Sequence, residues 1–193
     1  MRRTETAAAT RRALLAYAAE LLDRGGPTAV TLREVGAGAG LSRGAPYRHF
    51  PDKESLLAAV AAEGWDRLGD RMHVLQNDSR LSAVDKLRAA LNVVLTVSRE
   101  QPHLYQLMFT PPAGDPDAVV RAAQHMCDGF LGIVSGVVGE LDAQRVSAIL
   151  LTGVHGAAGL QTSGLLNTDK WNTTAEELTE SLVAMVTGQD RPA

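Results

Sequence analysis

Three glycines within five residues, Gly36, Gly38 and Gly40, interrupt an apolar helical pattern almost as soon as it begins. Each costs about 1 kcal/mol relative to alanine inside a helix, so a helix starting at Thr31 has to be short. Thr31 can cap it through its hydroxyl, and Val30, Leu32 and Val35 give it an apolar side. Gly40 is suited to the left-handed conformation that ends a helix. Ser42 then caps a second helix, Arg43 to about Phe50, which Pro51 stops before Asp52 caps the next. That second helix carries Arg43, Gly44, Tyr47, Arg48 and His49, with Lys53 just beyond, while Ala45 and Phe50 are its clear anchors to a core. A short helix that spends its side chains on donors is suited to an anionic partner. Two helices joined by a glycine-containing turn, the second one polar, match the helix-turn-helix geometry that enters the DNA major groove. A surface hairpin with solvated charges has the same spacing.

The run LSRGAPYRHFPDKESLLAAV, preceded by TLREVG, resembles the DNA-binding domain of TetR-family transcriptional regulators. The resemblance covers roughly residues 8 to 65. It implies an all-α homodimer: an N-terminal three-helix DNA-binding domain joined by a long helix to a C-terminal helical domain that binds ligand and dimerises. The implied boundary puts residues 1–55 in the DNA-binding domain and residues 56–193 in the second. By the same resemblance Thr31 and Arg33 contact phosphate, Arg43 and Gly44 face base edges, and Tyr47, His49 and Lys53 hold the DNA backbone; Ser42 and Arg48 complete the DNA-binding set. One departure is Pro46, where an ordinary helix former is common. It lies near the limit of where a missing amide is tolerated, so the start of the recognition helix is expected to be displaced.

The charge distribution agrees with such a reader. The whole chain of 193 residues is acidic, at net charge -3, which argues against a nonspecific nucleic-acid coat. Residues 1–53 nevertheless carry nine Lys or Arg against five Asp or Glu, a net +4, and residues 54–193 carry ten against seventeen, a net -7. The positive end contains the proposed reader, as attraction to phosphate requires. With 45% hydrophobic residues the chain can bury a real core. The single Cys127 cannot form an internal disulfide, and no apolar run approaches the roughly 18 residues of a membrane span. A reducing cytoplasm, with no membrane partner, is the simplest expectation.

Apolar residues recur at helical spacing along the rest of the chain, and no period-two strand pattern occurs. After a frayed polar arm, Met1 to Thr10, a first helix reaches Arg24 with Leu14, Leu15, Ala18, Leu21 and Leu22 on one stripe, and Gly25, Gly26 and Pro27 end it. The long helix from Asp52 breaks near Asn77 to Ser79 and is the natural lever between domains. Further helices are expected over Ser82–Glu100, His103–Thr110, Asp115 or Asp117 to about Leu141, from Asp142, and from Thr173 or Thr174, with a loose tail after Gly188. The last two are the eighth and ninth in order. Their small or leucine-type faces assign them to the dimer, which a reader of a palindromic operator in double-stranded DNA requires.

The fourth to seventh helices in order, from Asp52 to about Leu141, would enclose a pocket for a small, largely apolar effector. Side chains with soft or aromatic character and a polar handle are the candidates: Trp65, Met72, His103, Tyr105, Met108, Phe109, Met126, Cys127 and Phe130. Such residues at helical spacing are also ordinary core. The GVHG at Gly153 to Gly156 is similar to a W-x-x-x-H-G signature of one TetR subgroup but lacks its tryptophan, leaving His155 as a ligand contact or a core histidine. No close metal-ligand spacing joins His73, His103, His125, His155 and Cys127, so no metal and no cofactor is expected. A redox role for Cys127 lacks a resolving partner. No nucleophile elbow or phosphate loop occurs, and GAGAG at Gly36 to Gly40 lacks the strand a dinucleotide site needs, so an enzyme is not expected. A dimeric repressor released from its operator by ligand is the leading reading. Alternatives are a helical small-molecule-binding protein with a non-functional DNA head, and a ligand-independent regulator.

Overall fold

The structure, a computed structural model, describes residues 2–111 and 116–188; the side chains of residues 2–5 are outside the description. Eight α-helices occur among the described residues: α1 (Arg2–Ala29), α2 (Leu32–Gly38), α3 (Lys53–Asn77), α4 (Ala83–Glu100), α5 (Pro102–Met108), α6 (Pro116–Val138), α7 (Glu140–Thr162) and α8 (Ala175–Thr187). The fold is all-α. The chain forms two compact units, residues 1–65 with 101–122, and residues 66–100 with 123–193. Helices α3 and α6 each begin in the first unit and end in the second.

In the first unit α1 packs against α2 and α5. Of its expected stripe, Leu14, Leu15, Ala18 and Leu22 are fully buried and Leu21 is half-buried; Val30, Val35 and Leu56 are fully buried too. The helical arm starts at Arg2, where the sequence suggested fraying as far as Thr10. The expected stop after Arg24 is present as a break: Gly26 takes φ +67°, and Pro27 begins a last short turn. Asp52 caps α3 by accepting a 2.7 Å hydrogen bond from the Ser55 amide, and the Ser55 side chain together with that amide draws its carboxyl below the usual range. On α3, Gly64 gives α5 room, because a Cβ there would lie 2.9 Å from Met108 Sδ.

In the second unit α4, α7 and α8 pack mutually. Gly153 lets α7 and α8 approach closely, since a Cβ there would meet Leu182 at 2.6 Å. Arg88 reaches Glu180 at 3.0 Å and Arg99 pairs with Glu176, so two exposed ion pairs link α4 to α8. The start of α8 is a capping box: Thr174 Oγ1 accepts from the Glu177 amide at 3.1 Å while Glu177 Oε2 accepts from the Thr174 amide at 3.0 Å. Two expected boundaries shift. The helix expected to reach Leu141 ends at Val138, and its successor starts at Glu140 rather than Asp142, because Gly139 takes φ +83° and breaks the run. A cap at Asp115 and the tail after Gly188 lie outside the described residues.

Candidate nucleic-acid interface

Thr31 caps α2 as its position requires: its hydroxyl accepts from the Glu34 amide at 3.2 Å and donates to Glu34 Oε2 at 2.8 Å. The helix spans seven residues and closes with paired bonds. Leu41 N–H donates to Gly36 O at 2.9 Å and Gly40 N–H to Ala37 O at 3.1 Å, with Gly40 at φ +68°. This is the Schellman arrangement, in which a left-handed residue satisfies the last carbonyls. The GAGAG run is therefore the end of α2 and its C-terminal cap, as Gly40 suggested.

The second reading element differs from the expected α-helix over Arg43 to Phe50. Residues 43–45 form a turn, and Pro46–Arg48 a single 3₁₀ turn. Pro46 has no amide to donate to Ser42 O, so that carbonyl accepts instead from the Ala45 N–H at 2.9 Å, one residue earlier. The tighter pattern continues with Arg48 N–H to Ala45 O at 3.2 Å and His49 N–H to Pro46 O at 2.9 Å. No side-chain cap occurs on this turn, whose capping position is Ala45 rather than Ser42.

Packing explains why the proline sits there. Pro46 is buried, and its ring seats on Gly36 so closely that a Cβ at Gly36 would fall 2.6 Å from Pro46 Cγ. Gly38 is covered in the same way by the Tyr17 ring of α1. The glycines that weaken α2 as a helix thus let the reading turn and α1 reach its backbone. Ala45 and Phe50 are buried as expected, and the Arg11 guanidinium lies 5.2 Å from the centre of the Phe50 ring.

Outside these anchors the donors point to solvent. Thr31, Arg33, Ser42, Arg43, Gly44 and Arg48 are exposed, Tyr47 is 55% exposed, and His49 and Lys53 are half-buried. All nine belong to one compact unit and to the 23 residues from Thr31 to Lys53. An added Cβ at Gly44 would meet nothing within 4 Å, so this glycine has no packing role within the chain.

The residues expected to contact a ligand fall into both units. Trp65, His103, Tyr105, Met108 and Phe109 belong to the first unit, and Met72, Met126, Cys127, Phe130 and His155 to the second. Trp65 donates its indole N–H to Met108 O at 3.1 Å, and its ring and that of Tyr105 each lie 4.9 Å from Phe109. Burial pushes the Tyr105 phenol up to about 12. Met72, Met126 and Phe130 are buried in the core, whereas Phe109 is 43% exposed. One expectation is corrected: His155 is exposed rather than a core histidine. Cys127 is exposed too, although partial desolvation and the Asp128 carboxylate raise its thiol pKa.

A cavity of about 250 Å³ lies within the first unit, lined by the end of α1, the first turns of α3, α5, and the start of α6. His103 alone of the ligand candidates lines it. Sequence spacing also missed a long-range pairing in the second unit: His73 and His125 stack at 4.5 Å, with His125 Nε2 3.0 Å from Asp70 Oδ1. No group of three metal-ligating side chains forms among the described residues, and no helix among them is long and apolar enough to cross a membrane.

A capped short helix, a tight turn and a donor-rich second element on a buried helical scaffold define the class of helix-turn-helix DNA-binding proteins. The family model described as bacterial regulatory proteins, tetR family, matches residues 14–60, and the tetracyclin repressor-like C-terminal domain model matches residues 87–186. The chain belongs to the TetR family of transcriptional regulators, which are DNA-binding transcription factors and not enzymes. It is similar, at 26% identity and a TM-score of 0.76, to a protein of unknown function from Rhodococcus sp. RHA1, over 93% of this chain and 94% of that one. It shares its fold with FadR from Bacillus subtilis in complex with stearoyl-CoA, at 16% identity and a TM-score of 0.63, over 93% and 99% of the two chains. The SmeT–triclosan complex shares the fold at 21% identity and a TM-score of 0.63, over 94% and 91%. No curated protein matches.

Proposed function

We propose that this regulator is a cytoplasmic homodimeric repressor whose two reading turns dock on a palindromic operator, and that a small, largely apolar effector releases it. The observation that carries the DNA contact is the exposed donor surface from Thr31 to Lys53, held by the buried Pro46, Ala45 and Phe50. Arg43 and Gly44, at the start of the second element, are assigned to base edges. Thr31, Arg33, Ser42, Tyr47, Arg48, His49 and Lys53 are assigned to phosphates and sugars, which position a protein without reading sequence.

The dimer is supported by a face of α7 and α8 that the subunit leaves uncovered. Leu141, Ile149 and Leu160 on α7 and Met185 on α8 are exposed large apolar residues. Gly156 and Gly159 are exposed too, and an added Cβ on either would meet nothing within 4 Å, so neither glycine is needed for packing inside the subunit. Small residues on an apolar face suit close helix pairing with a second copy. Release by ligand is supported by the cavity beside the start of α3 and by the fold shared with proteins solved with stearoyl-CoA and with triclosan.

Sedimentation of the purified chain with a duplex selected from a random pool tests the reading. Two subunits per duplex are expected, with an affinity that falls steeply as salt rises. One subunit per duplex, or equal binding to every sequence, contradicts it.

A further inference from the structure

The cavity of the first unit has a chemistry of its own. Its floor is apolar: Leu57, Ala58 and Ala61 from α3, Leu107 from α5, and Val119 from α6. Its mouth is polar. Glu54 and Gln106 are exposed and His103 half-buried, and Thr110 Oγ1 donates to Gln106 O at 2.8 Å, leaving the hydroxyl oxygen's acceptor side for a guest. Among the described lining residues Glu54 is the one acidic side chain, and none is Lys or Arg. A dry apolar cavity of roughly 150 Å³ already accepts benzene. At about 250 Å³ this one has room for two fused rings, and far too little for a long acyl chain carrying a nucleotide.

We infer that this cavity is a binding site for a compact, two-ring apolar molecule bearing a cationic or hydrogen-donating head, the rings on the Leu57–Ala61–Val119 floor and the head at Glu54. The carboxylate of Glu54 attracts such a head and repels an anion, while Gln106 and His103 offer further acceptors. Part of this site is the framework of the reading surface. Glu54 immediately follows Lys53, and Pro27 stands at the break of α1. A guest therefore touches the first turn of α3 directly. The regulatory consequence rests on the repressor reading above; the binding itself does not.

The test uses the full chain and three probes that share the naphthalene ring system and differ in head group: 1-naphthylmethylamine, 1-naphthol and 1-naphthaleneacetate. Calorimetry is expected to show the amine binding at least tenfold more tightly than the acetate, with the naphthol between them. Glu54→Gln should remove most of that difference without abolishing naphthol binding. Ala61→Leu, which fills the floor, should abolish all three, and Leu107→Phe does the same from α5 should the first variant fail to fold. Tighter binding of the acetate, or binding unaffected by both filling variants, overturns the assignment. Operator affinity is measured in parallel. A fall on adding the amine, absent in the filled variant, supports regulation through this cavity. Amine binding with unchanged operator affinity overturns that role and leaves the ligand chemistry standing, whereas failure of the unliganded protein to bind any operator overturns the repressor reading alone.

Discussion

Pro46 shapes the reading turn through the hydrogen bond it cannot make and the glycine it sits on. Gly36→Ala would gain about 1 kcal/mol of helix propensity, yet its methyl would overlap the Pro46 ring. Overpacking of this kind costs about 1–3 kcal/mol. We expect Gly36→Ala to lower the melting temperature and weaken operator binding. In a Pro46→Ala background, where the ring is gone and an amide is restored, the same change should be neutral or stabilising. A double-mutant cycle in thermal denaturation checks this, and additive effects would refute the contact. The sequence already displayed the unusual proline and the three glycines, but spacing could not say that they touch. For the same reason an α-helix was expected where a 3₁₀ turn forms: a first-turn proline is tolerated in many helices, and the seat of Pro46 on Gly36, which adds to its missing hydrogen bond, has no signal in sequence spacing. Arg43 and Tyr47 separate specificity from grip. Arg43→Ala should cost about 1–3 kcal/mol on the preferred site and relax base preference, while Tyr47→Ala should weaken all sites alike. Binding arrays of single-base operator variants distinguish the two patterns.

At the scale of elements, caps and stops were the most legible features. Asp52 and Thr174, both read as caps, each precede a helix and accept a backbone N–H three residues on, at 2.7 and 3.1 Å, and Ser82, expected as the first residue of its helix, does the same at 3.1 Å; Ser42 is the cap that failed. Thr174→Ala should cost about 1 kcal/mol, a fall of roughly 2–4 °C in melting temperature for a chain of this size. The pH dependence has a definite sign. Hydrogen bonds from the Thr173 hydroxyl and the Thr174 amide hold the Glu177 carboxyl below its ordinary value of 4.5. A depressed folded-state pKa gives stability that is present above the unfolded value and lost as pH falls through the folded one. Glu177→Gln should therefore lie below wild type in melting temperature at neutral pH, and the gap should narrow under acid, below about pH 4.5. A gap that widens in acid would refute the capping box as its source. Ligand residues were far less legible. Soft and aromatic side chains fill cores and pockets alike, so Met72, Met126 and Phe130 proved buried, and a cavity wall of Ala58, Ala61 and Leu57 carried no signal in one dimension. The stacking of His73 on His125 joins residues 52 positions apart, beyond any helical period.

For the whole molecule, the charge asymmetry and the helical periodicity were both visible in the sequence, and the all-α fold, implied by the resemblance to TetR-family regulators, agrees with that periodicity. The last two helices were assigned to a dimer on their small and leucine-type faces, and the exposed Leu141, Ile149, Leu160 and Met185 on α7 and α8 support that proposal. Placing an aspartate at Gly159 on that face should leave the subunit folded, since no atom lies within 4 Å of the added Cβ. It should also shift sedimentation toward the monomer and weaken operator binding. A dimer unaffected by Gly159→Asp would place the interface elsewhere. Effector and DNA are expected to oppose each other by the same factor in either order of addition, as linkage demands.

Selection of duplexes from a random pool, run side by side with wild type and Arg43→Ala, bears most directly on how this protein reads DNA. The wild type should enrich a two-fold symmetric sequence whose half-sites lie one helical turn, about 34 Å, or a multiple of it apart, and Arg43→Ala should lose preference at the same base in both halves. Enrichment of an asymmetric sequence, or an identical preference from both proteins, would contradict it.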